Sequence, residues 1–217
     1  MQQSFFEALH NNTPLVPDMP DATLKYYPNF INPETATQLM AKFKQQIQWR
    51  QEQISIYGTT HNMPRLQAWY GDENTHYQYS NLTLQPLAWH QDLLTLKQQC
   101  ENASNQQFNS VLANLYRNGE DSMGRHSDDE PELGTQPVIA SLSFGEQRNL
   151  DFYHKITKQK VRIPLEHGSL LIMSGNTQTH WQHGIAKTKK SLEARINLTY
   201  RYILQKQNIN NNQQVTT

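Results

Sequence analysis

The chain of 217 residues contains a single cysteine, Cys100, so it cannot form an internal disulfide, and a reducing compartment suits it. No apolar run approaches the ~20 residues that a membrane-spanning helix needs. Nineteen basic and nineteen acidic side chains cancel. That balance argues against a surface that grips phosphate everywhere, but leaves room for a local basic groove. The opening MQQSFFEALHNN has neither the basic start nor the long apolar stretch of a secretory signal. The expectation is a cytoplasmic monomer with no membrane partner.

What is present is aromatic bulk: ten Tyr, seven Phe and four Trp, enough to build a core despite the polar composition. The length suits one domain with a modest N-terminal extension. Phe5, Phe6 and Leu9 read as a short helical piece, ended by Pro14, Pro17 and Pro20. Asn32-Pro33-Glu34 is a strong helix start, a cap followed by proline and acid in the first turn, and predicts a helix to about Gln48. A second helix is expected over 86–101, with Cys100 as a small buried residue. Residues 49–82, rich in turn formers and aromatics, read as hairpins and loops. From 111 onward short β-like runs follow: 111–116, 138–144, 149–154, 160–165, 169–173 and 195–204. Helices followed by many short strands indicate α+β on a sandwich or barrel. The division expected is 1–110 as extension, helices and recognition segment, 111–204 as core, and 205–217 as a frayed polar tail.

In the last strand, Arg195-Ile196-Asn197-Leu198-Thr199-Tyr200-Arg201, odd positions are polar and even positions apolar. Strand geometry therefore aligns Arg195, Asn197, Thr199 and Arg201 on one face. Pattern alone also permits an ordinary solvent-facing side. Asn114 and Tyr116 have the same i, i+2 relation.

His126-Ser127-Asp128 followed far downstream by a histidine has the makings of an iron site, two imidazoles and a carboxylate on one face of an octahedron. A nearby arginine would suit a dicarboxylate co-substrate. The triplet alone is a weak signal. Nine histidines compete for the second imidazole, His180 is a local rival to His183, and spacing does not choose between them.

The blocks NLYRNG…GRHSDDE, IASLSFG, LEHGSLLIMSG, THWQHGIAK and ARINLTYR, in this order and at these distances, are similar to the AlkB-type dioxygenases. Those are Fe(II)- and 2-oxoglutarate-dependent enzymes that remove alkyl groups from nucleobases, and the likeness is to the DNA-repair subtype of human homologue 2. The resemblance covers roughly 54–203. It implies a double-stranded β-helix (jelly roll) core with N-terminal helices and a nucleotide-recognition hairpin segment. It implies His126, Asp128 and His183 as iron ligands, and Asn114, Tyr116, Arg195, Thr199 and Arg201 around 2-oxoglutarate. Arg195 would hold the distal carboxylate beside Tyr116, and Arg201 would lie near the metal.

For the substrate, the same resemblance implies that Tyr57, at the tip of Ile56-Tyr57-Gly58, fills the gap left by a flipped base. Arg65, Tyr77, Gln78 and Tyr79 belong to the recognition segment, where Tyr79 and His126 would sandwich the base and Tyr77 close the pocket. Asp129 and Glu130 would lie near a cationic base, or Asp129 would pair with Arg65. Lys187, Lys189 and Lys190, and Lys155, Lys158 and Lys160, are basic runs that fit either phosphate contact or a solvated loop. The implied reaction is oxidative dealkylation of 1-methyladenine- or 3-methylcytosine-type lesions in double- or single-stranded DNA. It uses O2 and releases formaldehyde. The alternatives are an RNA demethylase, a protein hydroxylase of the same family, or a non-catalytic jelly-roll binding module.

Overall fold

The computed structural model describes residues 13–204, except Tyr57, Asn74, His76, Ser80, Asn81 and Gln85 and the side chains at 54–56, 77–79 and 82–84. The helical piece expected at Phe5–Leu9 and the tail from 205 lie outside the described residues. In chain order the elements are β1 (Thr23–Tyr27), α1 (Pro33–Gln46), β2 (Gln53–Ile56), β3 (Thr59–Asn62), β4 (Leu66–Gly71), β5 (Tyr77–Tyr79), β6 (Leu82–Leu84) and α2 (Gln91–Ser104). Then come β7 (Ser110–Tyr116), β8 (Met123–His126), β9 (Ile139–Gly145), β10 (Arg148–His154), β11 (Lys160–Leu165), β12 (Leu170–Ser174), α3 (Thr177–His180), β13 (Trp181–Ile185) and β14 (Arg195–Arg201).

Two antiparallel sheets form the jelly roll. The larger has the order β1-β12-β9-β14-β7-β4 and the smaller β11-β10-β13-β8, with β2-β3 and β5-β6 as separate hairpins. Two strands from before residue 111, β1 and β4, thus belong to the larger sheet. Alternation along β14 explains the layering. Its even residues Ile196, Leu198 and Tyr200 pack with Phe43 of α1, Leu93 and Leu96 of α2, and Phe144. Complete burial of a side chain such as Phe43 contributes roughly 1.5–3 kcal/mol. Between the sheets, Leu150, Phe152, Ile163, Leu171 and Trp181 make a second core. The functional cavity opens at one side of that layer.

Helix α1 starts where the sequence indicates, with Asn32 Oδ1 accepting the Thr35 amide at 2.9 Å. Helix α2 begins later than expected. Leu87 is occupied by β4: its amide donates to the Trp69 carbonyl, and its own carbonyl accepts from Gly71. The helix starts only after His90, whose Nδ1 accepts the Asp92 amide at 3.2 Å. Asn105, in the left-handed conformation, ends it.

Candidate active site

Register assembles the first cluster. His126 of β8 lies directly opposite His183 of β13, and a bulge follows before Ile185. Residues facing each other across an antiparallel pair project from the same side, so the imidazole centroids come within 4.5 Å. Asp128 follows His126 by two residues and turns to the same side. Its amide donates to Gln178 Oε1 at 2.9 Å, and Ser127 Oγ donates to the Trp181 carbonyl at 3.0 Å, which fixes the segment after β8. His183 Nε2 lies 3.6 Å from Asp128 Oδ2, and His126 Nε2 lies 4.0 Å from Oδ1. One ion can reach all three.

The protonation pattern fits a cation. His126 Nδ1 lies 3.0 Å from the Gly124 carbonyl. A carbonyl only accepts, so Nδ1 carries the proton and Nε2 keeps its lone pair free. Burial, and then the neighbouring His126, pushes His183 down to about 3, so it is neutral at physiological pH. Burial alone would raise the Asp128 carboxyl. Arg201, with His183 and His126, outweighs that and holds it down at about 2. Arg201 Nη2 donates to Asp128 Oδ1 at 2.5 Å.

The second part of the cavity is the odd face of β14. All seven residues of that strand are buried, so its polar side is an interior wall and not a solvated one. Across β7, Arg195 pairs with Tyr116 and Asn197 with Asn114; across β9, Asn197 faces Ser143 and Thr199 faces Ser141. Thr199 Oγ1 donates to Asn197 Oδ1 at 2.8 Å, and Asn197 Nδ2 donates to Ser141 Oγ at 2.8 Å. Asn114 Oδ1 accepts from Arg65 Nε and Gln67 Nε2, at 2.8 and 2.9 Å.

Arg195 is 1% exposed and its guanidinium lies 5.2 Å from the Tyr116 ring centre. Burial pulls it down to about 10. Its Nη2 donates to Ser143 Oγ at 2.9 Å, while buried Nε and Nη1 have no hydrogen-bond partner among the described residues. A buried guanidinium with two open donors is strongly unfavourable unless an anion completes it. A carboxylate matches that fork.

Arg65, Glu130 and Arg201 line the same cavity as the three candidate ligands. Asp129 does not. It is mostly exposed and reaches Lys155 Nζ at 3.5 Å. The expected Asp129–Arg65 pair is not made: Asp129 turns to Lys155, and Arg65 donates to Asn114 Oδ1 and the Ser122 carbonyl. Gly58 sits in the β2–β3 turn at φ +78°, while Tyr57 lies outside the described residues. Tyr77, Gln78 and Tyr79 form β5 opposite β6, but their side chains are not among those described. Sequence reasoning missed Ser141, Ser143 and Gln178. The two serines had a signal, the i, i+2 spacing inside Ile139–Gly145; Gln178 had none.

A second cluster, Asp21, His154 and His180, also gathers potential ligand atoms. There His154 Nδ1 accepts two backbone amides, from Ile156 at 3.2 Å and Thr157 at 3.0 Å. The ring proton must then sit on Nε2, which faces Asp21 Oδ2 at 3.3 Å. A metal at Nε2 would need the proton on Nδ1, where two N–H groups already point. This cluster is a hydrogen-bonded anchor.

A family model described as 2OG-Fe(II) oxygenase superfamily matches residues 23–201. The chain belongs to that superfamily. Among relatives, it is 43% identical over 187 residues to Alpha-ketoglutarate-dependent dioxygenase alkB homolog 3 of Homo sapiens, covering 82% of this chain and 65% of that one. It is 43% identical over 159 residues to DNA oxidative demethylase ALKBH2 of Homo sapiens, covering 70% and 61%. The chain thus spans just under two thirds of the length of these relatives. The solved structure of OsALKBH1 matches with a TM-score of 0.60 at 17% identity, over 82% of this chain and 97% of that one, a likeness of fold. No helix among the described residues is long and apolar enough to cross a membrane.

Proposed function

We propose that this oxygenase removes alkyl groups oxidatively from N-alkylated bases in DNA, such as 1-methyladenine and 3-methylcytosine. The observation that carries the reading is that one cavity is lined by His126, Asp128 and His183 together with Arg195, whose buried donors lack a partner. The first group is a donor set for iron(II), and the second a seat for a dicarboxylate. The names of the two human relatives, an α-ketoglutarate-dependent dioxygenase and a DNA oxidative demethylase, support the chemistry and the substrate.

Iron(II) and 2-oxoglutarate, when bound, would supply with O2 the oxidising power that converts an N-methyl group to N-hydroxymethyl, with succinate and carbon dioxide as co-products. His126, Asp128 and His183 would hold the metal. Arg201 keeps Asp128 anionic, and so a competent ligand, by donating to Oδ1. Arg195, backed by Tyr116 and Ser143, would bind the distal carboxylate, with Asn114 and Thr199 completing the polar wall. Glu130 gives the cavity a carboxylate that attracts a cationic alkylated base over a neutral one. The hydroxymethyl adduct then loses formaldehyde and leaves the repaired base. Delivery of the base would be by flipping, with Tyr57 filling the vacated stack and Tyr77, Gln78 and Tyr79 meeting the extruded base.

Mass spectrometry on a panel of methylated DNA and RNA oligonucleotides tests this reading. The expected result is loss of the methyl mass from 1-methyladenine or 3-methylcytosine in DNA, dependent on iron and 2-oxoglutarate. Repair of RNA alone, or of no oligonucleotide while a peptide gains oxygen, would overturn it.

A further inference from the structure

The outer face of the smaller sheet holds a feature that the reaction does not use. The register slips between Met123 and His126, so both of these line the inner cavity while Gly124 and Arg125 between them line the outer face. Arg125 enters a groove of about 260 Å³ whose walls include Tyr153, Asp151 and Lys187. The Arg125 guanidinium stacks on the Tyr153 ring at 3.5 Å, and Lys160 Nζ lies 5.5 Å from the same ring. Stacking fixes the plane of the guanidinium while leaving its edge donors free.

Charge on this face is one-sided. Asp151 is held by Arg162, at 2.5 Å through Nε and 3.1 Å through Nη2, so its charge is already answered. Among the described residues no carboxylate lies within ion-pair distance of Arg125, Lys160 or Lys187, whereas Lys97, Arg117 and Lys155 all have one.

Gly124 adds an independent observation. Its backbone is not in the left-handed region, and a Cβ built there would meet no atom within 4 Å. Neither conformation nor packing requires glycine at this position. Gly124 lines the groove, and the space beside Arg125 is left unfilled there.

We propose that this groove binds the phosphodiester backbone of the single DNA strand flanking the target base, with Arg125 and Lys187 as the phosphate contacts and Tyr153 as the platform that orients Arg125. The strand β8 is the edge of its sheet, and Arg125 precedes His126 directly. A strand whose base enters beside His126 therefore passes over this edge. The proposal rests on the DNA dealkylase reading, and it makes a long strand a better substrate than a short one.

The test uses the full chain as wild type, as Arg125→Ala/Lys187→Ala and as Tyr153→Leu. Binding of a labelled single-stranded DNA 15-mer is followed by anisotropy across a salt series, and turnover is measured on that 15-mer and on a trinucleotide, both carrying 1-methyladenine. Loss of two phosphate contacts should flatten the slope of log K against log salt by about 1.4, at ~0.7 per contact on single strands. KM for the 15-mer should rise about tenfold, with the trinucleotide unchanged. Tyr153→Leu should weaken the 15-mer alone by releasing the plane of Arg125 without removing a charge. Wild-type slope and affinity in both variants would overturn the groove, as would equal losses on both substrates. If wild type repairs neither oligonucleotide, the dealkylase reading fails, and the binding data still decide the groove.

Discussion

Two clusters of the same residue types lie around the smaller sheet, and they differ in what holds the imidazole protons. In His126, Asp128 and His183, a carbonyl takes the Nδ1 proton of His126 and leaves Nε2 open toward the carboxylate. In Asp21, His154 and His180, two backbone amides claim Nδ1 of His154 and force its proton onto Nε2. The first arrangement is ready for a cation. The second joins the Pro20–Asp21 turn to β10, alongside a hydrogen bond from Trp181 Nε1 to the Pro20 carbonyl at 2.8 Å. The lesson is that ligand residue types within reach do not define a metal centre; their hydrogen-bond partners do.

The widest separation between the clusters should come from conservative substitutions. His183→Gln or Asp128→Asn is expected to abolish iron binding and lower turnover by more than about 100-fold, since outer-shell changes alone commonly remove 10–100-fold. His154→Gln should keep one iron per chain. Metal content by mass spectrometry and succinate release decide it, and iron lost from His154→Gln would break the comparison. Next in size is Arg195→Met, which removes the buried fork and should raise KM for 2-oxoglutarate by roughly 10–100-fold, from about 1.5–3 kcal/mol per charged hydrogen bond. An unchanged KM would remove Arg195 from the co-substrate seat.

How much of this was legible in the sequence depended on whether a pattern carried its own partner. Asn32-Pro33-Glu34 announced α1 because cap, proline and acid are local. The strands β8 and β13 were not legible: Met123–His126 and Trp181–Ile185 each contain a glycine and show no alternation. They are strands because each pairs with the other. The same pairing sets His183 against His126 and leaves His180 on the turn before, a distinction that spacing could not make. The polar face of β14 was visible, but its direction was not. Only Ser141, Ser143 and Asn114 on the flanking strands turn it inward. The Lys155 contact of Asp129, made across 26 residues of chain, was not legible either.

A pH series sharpens the comparison further. In the metal-free protein His183 titrates near 3, against ~6.5 in the unfolded chain. Between those values the unfolded chain binds the extra proton, so stability falls as pH drops through that window. Asp128, near 2 when folded and ~3.9 unfolded, adds stability that is present above ~3.9 and lost on the way down to 2. Urea midpoints should therefore decline steadily from pH 7 toward 3, and His183→Gln should flatten the part above pH 4. An identical slope in that variant would contradict the assignment. The smallest effect belongs to the second cluster. His154→Ala breaks its anchor at a cost of about 1–3 kcal/mol. That corresponds to a Tm lowered by roughly 3–10 °C for a chain of this size, with turnover at low temperature unaffected.

The first cluster and Arg195 are expected to work together on an alkylated base. The most direct measurement is parallel quantification of succinate and formaldehyde from wild type acting on a 1-methyladenine oligonucleotide, with Asp128→Asn as control. Wild type should give equal amounts of the two products, and the variant neither. Succinate formed at the same rate with and without the oligonucleotide, and no formaldehyde, would contradict this.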